Sequence, residues 1–212
     1  MEPMFLGPAE KLTISWVDLN EGRLAVPDEA APESRRPKLI QHEFESKAMN
    51  QTIQYSVYVP PGEFDDTRLP VIFVHDGEVA LDAGRQAEIL DSLIAAGKAK
   101  PVVAVFIRWR LYPLIGFEGY PQMFGQELIP AVQSAYPVSD RREDRASLGG
   151  GFGGTLALLS SLMNRPLIGR IGCHSPFAFE LMHDPIKQLA SMPGPEMNVR
   201  IERGEITIGR NG

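Results

Sequence analysis

The chain has 212 residues, enough for one domain with a sizeable core, and its 43% hydrophobic and 23% charged residues exclude disordered and collagen-like classes. A formal net charge of -6 argues against a nucleic-acid or anionic-membrane partner, because both need a basic face. The single cysteine, Cys173, excludes an intrachain disulfide framework and a multi-cysteine metal site, and it reads as a small buried hydrophobe.

Met1 to Ala9 has neither a basic nor a long apolar region, so no secretory signal is expected. No apolar run approaches the ~18 residues of a membrane span, and a cytoplasmic protein is expected. Leu12 to Leu19, Lys38 to Phe44 and Thr52 to Val59 alternate apolar with polar residues, the period-two pattern of half-buried strands. Gly22 to Pro37 reads as a loop between the first two, and Pro60-Pro61-Gly62 stops the third. These strands of residues 1–60 are expected to be antiparallel.

From Leu69 the pattern changes. Pro70 to Val74 is a continuous apolar run, as in a parallel strand buried on both faces, ending in the polar turn His75-Asp76-Gly77-Glu78. Val79 to Ala96 predicts one helix with Ile89, Leu90, Leu93 and Ile94 on a face and Gly97 as its C-cap. Val102 to Ile107 is a second buried strand, and Trp109 to Pro121 an aromatic and charged loop. Gln122 to Tyr136 predicts a helix carrying Phe124, Leu128 and Val132. Arg141 to Arg145 reads as a solvated turn. Then follow a strand (Arg145 to Gly149), a helix (Phe152 to Met163), a strand (Ile168 to Cys173), a helix (Pro185 to Met192) and a last strand (Val199 to Ile206). Alternating strands and helices define an α/β class with a mostly parallel, doubly wound sheet, antiparallel at its N-terminal end. Residues 1–212 read as one domain, with residues 61–212 forming the parallel core. In such sheets a site lies beyond the carboxyl ends of the strands, after Val74, Ile107, Gly149 and Cys173.

The segment between the strand at Arg145 and the helix at Phe152 has the frame of a nucleophile elbow, G-x-S-x-G, in which glycines permit a strained turn and close strand–helix packing. Here it reads Gly149-Gly150-Gly151-Phe152-Gly153. Both flanking glycines are present and the serine is absent. Taking Ser147 as the nucleophile instead would make the charged stretch Arg141 to Arg145 the buried strand, so Ser147 reads as a strand residue. Gly149, Gly151 and Gly154 also fit the register of a G-x-G-x-x-G phosphate loop, a competing nucleotide-binding reading that the upstream elements do not favour.

Together these stretches resemble the esterase family that includes esterase D and the enterochelin (ferric siderophore) esterases. The resemblance runs from about Thr52 to Phe179, through Tyr58-Val59-Pro60-Pro61-Gly62, Pro70 to Glu78, Ile94 to Lys98, Glu127-Leu128-Ile129-Pro130, the elbow, and Cys173-His174-Ser175-Pro176-Phe177. It implies an α/β-hydrolase fold, a Ser-His-Asp triad, and hydrolysis of a carboxylic or siderophore ester. It also implies an oxyanion hole from the backbone N–H of Phe152 and one N–H of the Asp76-Gly77-Glu78 turn, with Gly77 the candidate. No cofactor is implied, and a small ester or siderophore-like molecule is the expected partner, in a monomer or a homo-oligomer alike.

Measured against that family, Gly151 holds the nucleophile position without a side chain. No histidine follows His183 to act as base, and Glu205 lies out of frame for the triad acid. The chain ends at Gly212, ahead of the last strand and helix of such folds, so a C-terminally shortened hydrolase is expected, impaired in catalysis. An active serine hydrolase with a different nucleophile is the alternative. His75 reads either as a pocket donor or as a strand-end histidine bonded to a neighbour. His174 faces the same mouth. Trp109, Arg110, Glu118 and Tyr120 lie on the loop where the family places substrate-shaping Arg and Glu residues. Four scattered histidines give no metal signature.

Overall fold

The computed structural model describes residues 12–15, 37–62, 64, 68–108, 119–176, 186 and 188–202, of which 12–15 and 202 by their backbone. Among the described residues eight strands form one sheet: β1 (Leu12–Ser15), β2 (Leu39–Ser46), β3 (Gln51–Tyr58), β4 (Val71–Val74), β5 (Val103–Arg108), β6 (Arg145–Gly150), β7 (Arg170–His174) and β8 (Met197–Glu202), in the order β1-β8-β7-β6-β4-β5-β3-β2. Helices among the described residues include α1 (Gly77–Asp82), α2 (Gln86–Ala95), α3 (Tyr120–Gln122), α4 (Ile129–Ala135) and α5 (Gly151–Met163), and residues 188–191 are helical too.

Period-two alternation on β4 and β5 explains why helices cover both faces. Val71 and Phe73 with Val103, Val105 and Ile107 join the core that contains Phe124, Leu128, Val132, Leu156 and Leu159. Val74, Ala104 and Phe106 join a second, smaller core with Ala80 and Ala87, packed by Leu90 and Ile94. One strand therefore serves two cores, which is why its sequence is apolar throughout. Phe73 meets Phe124 edge-to-face at 5.3 Å, a favoured aromatic geometry.

The antiparallel end is made by β2 on β3 and β3 on β5. β1 departs from expectation: it pairs parallel with β8, at the opposite edge of the sheet. Strand alternation reveals a half-buried strand and carries no information about its partner. The helix expected from Val79 to Ala96 is two helices. Arg85 takes a left-handed φ of 47°, and Gly84 sits where a Cβ would lie 2.9 Å from Ala80 O. The chain turns there, and α2 then ends with Ala96 as its C-cap and Gly97, at φ 68°, as the left-handed residue just beyond it.

The helix expected near Gln122 to Tyr136 begins at Tyr120 and contains a π-helical stretch, Met123–Leu128, between α3 and α4. Asn164 explains it. Its side-chain amide donates to Pro121 O at 2.9 Å and Ser160 O at 2.8 Å, and its Oδ1 fills the space a Cβ on Gly125 would need. Pro130, lacking an N–H, follows directly. The solvated turn expected at Arg141 to Arg145 is only partly solvated. Arg145 is 2% exposed, donating to Ser139 O and Leu167 O, and Arg142 donates to the carbonyls of Arg165, Ile168 and Glu196. Arg145 alternates in phase with the buried Ser147 on β6, so its position on the strand forces it inward.

Candidate functional site

β4, β6 and β7 run parallel, so their carboxyl ends open together, and there the sheet breaks into the turns that could hold a ligand. The first is the β4–α1 turn. Asp76 takes φ 64°, unusual for a residue other than glycine, and the chain enters α1 at Gly77. A Cβ on Gly77 would sit 2.6 Å from Phe106 C, so the start of α1 lies directly on β5. Burial first, and the neighbouring Glu78 second, push the Asp76 carboxyl above its ordinary range.

The second turn joins β6 to α5. Gly149 is locked by the helix it leads into: a Cβ there would lie 2.2 Å from Gly153 C and O. Gly153 is locked by the first turn, with 2.6 Å to Asp76 Cβ and 2.9 Å to His75 O. Gly151, midway between them, takes φ 52°, and a Cβ on it would meet nothing within 4 Å. Gly149, Gly151 and Gly153 thus divide into two that admit no side chain and one that faces open space. Packing alone accounts for Gly149 and Gly153, without a phosphate to approach.

Between the turns lies a cavity of about 580 Å³ on the side of the sheet that carries α1 and α2. Val74, Val79, Ala80 and Leu148 give it apolar walls. Asp76, Gln86, His174 and Arg200 are its polar residues, and Gly149 and Gly150 bring its edge to the residue before Gly151. A volume of this size suits a small organic molecule.

Of the residues singled out in the sequence, His75, Asp76 and His174 line this cavity together. Gly151 and Phe152 begin α5 at its margin, and Gly77 begins α1. Glu78 is exposed and is not among the lining residues. Trp109, Arg110, Glu118, His183 and Glu205 lie outside the described residues. Arg200 and Gln86 escaped the sequence reading. Arg200 alternates with the buried Val199 and Ile201, but only the register Gly172↔Arg200 and Leu148↔Gly172 brings it to the cavity, and register is not written in one strand's sequence.

His75 lines the cavity, yet the residue is only 1% exposed. Its Nδ1 lies 2.8 Å from Tyr120 Oη and its Nε2 2.8 Å from Ser147 Oγ. Ser147 Oγ donates onward to Ala157 O at 3.4 Å, a polarity that places the ring proton on Nε2 and lets Nδ1 accept from Tyr120. Burial lowers the His75 pKa to about 3. A serine–histidine pair at hydrogen-bond distance has the look of a nucleophile and its base, yet Ser147 is 0% exposed and its proton points into α5. Cys173 is likewise inert: burial pushes its thiol up to about 12, and Sγ donates to Gly154 O. Among the described residues no group of three His, Cys, Asp or Glu side chains is placed to hold a metal ion, and no helix is long and apolar enough to cross a membrane.

A mostly parallel mixed sheet wrapped by helices, with glycine-built turns at its carboxyl end, defines an α/β-hydrolase class. The profile of the family described as "Putative esterase" matches residues 46–109 and 115–199, more than half of the chain, and the chain belongs to that family. An uncharacterized protein of Bacillus subtilis (strain 168), YjcH, is 23% identical over 154 residues, covering 68% of this chain and 64% of its own. The enterochelin esterase of Shigella flexneri superposes with a TM-score of 0.61 at 20% identity, over 81% of this chain and 45% of that one. A CE1 ferulic acid esterase from Anaeromyces mucronatus gives 0.58 at 15% identity, over 82% and 89%. At these identities the structural likeness shows the fold. The chain spans less than two thirds of the length of the Bacillus relative and less than half that of the Shigella esterase.

Proposed function

We propose that this esterase-family domain does not run serine hydrolysis and instead binds a small acyl or siderophore-like ester at the carboxyl end of its sheet. The observation that carries the reading is the elbow. Gly149 and Gly153 are held by contacts that fix the frame, and Gly151, at φ 52° between them, is the residue this reading assigns to the nucleophile position. Glycine has no atom with which to attack an acyl carbon. Loss of a nucleophile costs about 10⁶ in turnover, leaving roughly 10³ to 10⁴ over water from the oxyanion hole and binding. The backbone donors of Phe152 and Gly77 do not depend on side chains and are assigned the oxyanion role. Ligand class is supported by similar folds: the enterobactin esterase of Shigella flexneri has been solved in the presence of enterobactin, and the Anaeromyces esterase in complex with ferulic acid.

Labelling with an aryl phosphonate followed by intact-mass measurement tests this reading, since only a working nucleophile becomes covalently modified. No adduct is expected, and a stoichiometric adduct overturns it. The second reading, an active hydrolase attacking through Ser147, rests on the 2.8 Å contact with His75. It requires that Ser147→Ala abolish any such adduct.

A further inference from the structure

β4, β6, β7 and β8 lie side by side, and their registers align four residues in one row: Val74 with Leu148, Leu148 with Gly172, and Gly172 with Arg200. All four line the cavity. Paired residues share a face of the sheet, so this row is a cross-section of the cavity floor. Val74 belongs to the core on the α1 and α2 side, whereas Val199 and Ile201, which flank Arg200, are buried in the other core. Alternation therefore puts the Arg200 side chain on the cavity side. Its neighbour in the row has no side chain, and a Cβ on Gly172 would lie 2.5 Å from Leu148 Cδ2. The floor thus runs from two apolar side chains, across a glycine that Leu148 overhangs, to one cation. Three strand spacings of ~4.8 Å, roughly 14 Å, separate its ends. Asp76 stands at the opposite end from Arg200, its Cβ 2.6 Å from where a Cβ on Gly153 would be. One arginine in a cavity that also holds Asp76, on a chain of net charge -6, complements a single negative charge and disfavours a dianion.

Resting on the acyl-binding reading above, we propose that the cavity selects acyl esters that also carry a free carboxylate, and that Arg200 is the residue that holds it. The acyl group then lies at the end formed by β4 and β6, beside the elbow. The chain between the two groups lies on Val74, Ala80 and Leu148, and the carboxylate meets a guanidinium that can donate two parallel N–H bonds to it. Val79, 57% exposed on α1, is the apolar wall that such a chain would cover.

The test follows the amide resonances of the full chain while monomethyl adipate or dimethyl adipate is added. The half-ester is expected to bind roughly 5- to 10-fold tighter than the diester, between what an exposed ion pair and a desolvated charge-assisted bond provide. Its shifts are expected to include Gly172, His174 and Arg200. Arg200→Gln is expected to erase the difference between the two compounds, and Arg200→Lys to keep part of it. A half-ester that binds no tighter than the diester overturns the proposal and leaves the acyl-binding reading in place. A preference that survives Arg200→Gln overturns it too, by moving the carboxylate to His174 or to backbone. If neither compound shifts the cavity resonances, the proposal and the acyl-binding reading fall together. Turnover of the esters sinks only the non-hydrolytic reading, because the same preference, and its loss in Arg200→Gln, is then read in KM.

Discussion

Gly149, Gly151 and Gly153 occupy one sharp turn and answer to different physics. A methyl group on Gly149 meets the backbone of Gly153 at 2.2 Å, and one on Gly153 meets Asp76 Cβ at 2.6 Å and His75 O at 2.9 Å. Gly149→Ala and Gly153→Ala are therefore expected to cost at least ~3 kcal/mol each, because the turn or the helix must move. Gly151→Ala meets no atom and is expected to cost only the left-handed backbone, ~1–2 kcal/mol. Urea unfolding of the three variants checks the order. At the same scale His75 makes stability depend on pH. Its pKa is about 3 when folded against ~6.5 when unfolded, so the unfolded chain takes up a proton that the folded chain refuses. Stability is thus lost as pH falls from ~6.5 towards 3, by up to ~1.4 kcal/mol per pH unit. Asp76, raised by burial, works with the opposite sign, its contribution being lost as pH rises through its folded pKa. The difference between the native chain and His75→Gln isolates the histidine. Their unfolding free energies are expected to diverge in slope by up to one proton between pH 6 and pH 4.

At the scale of the element, most of the chain was legible because strand and helix periods are local properties. β2 to β7 and α5 fall within two residues or so of the boundaries that alternation and helical spacing predict. What was not legible depends on partners. The break between α1 and α2 needs the left-handed Arg85, and the π-helical stretch needs Asn164, almost forty residues away along the chain. That second device carries its own prediction. Gly125→Ala forces Asn164 to give up its bonds to Pro121 and Ser160, an expected cost of ~1–3 kcal/mol. In an Asn164→Ala background the same change is expected to be neutral or stabilising, by up to the ~1 kcal/mol that separates Ala from Gly in a helix. A double-mutant cycle in thermal or urea unfolding reads the coupling.

At the scale of the whole molecule, the sheet order decides which side chains share a cavity. His75, Asp76 and His174 could be assigned to one mouth from the sequence, because each ends a strand. Arg200 could not, since it depends on β8 lying two strands from β6. The imidazole of His75 was left between two readings, and it lies inward, bonded to Ser147 and Tyr120. What remains at the mouth is a cavity of a size for a small organic molecule, beside a turn whose central residue, Gly151, has no side chain. The most direct test of that account is the hydrolysis of a short-chain aryl ester by the purified 212-residue chain beside a heat-denatured control. At most a weak residual rate, about 10⁶ below that of a working serine hydrolase, is the predicted result. A saturable rate of the size of a working serine hydrolase would contradict the account and direct mutagenesis to Ser147 and His174.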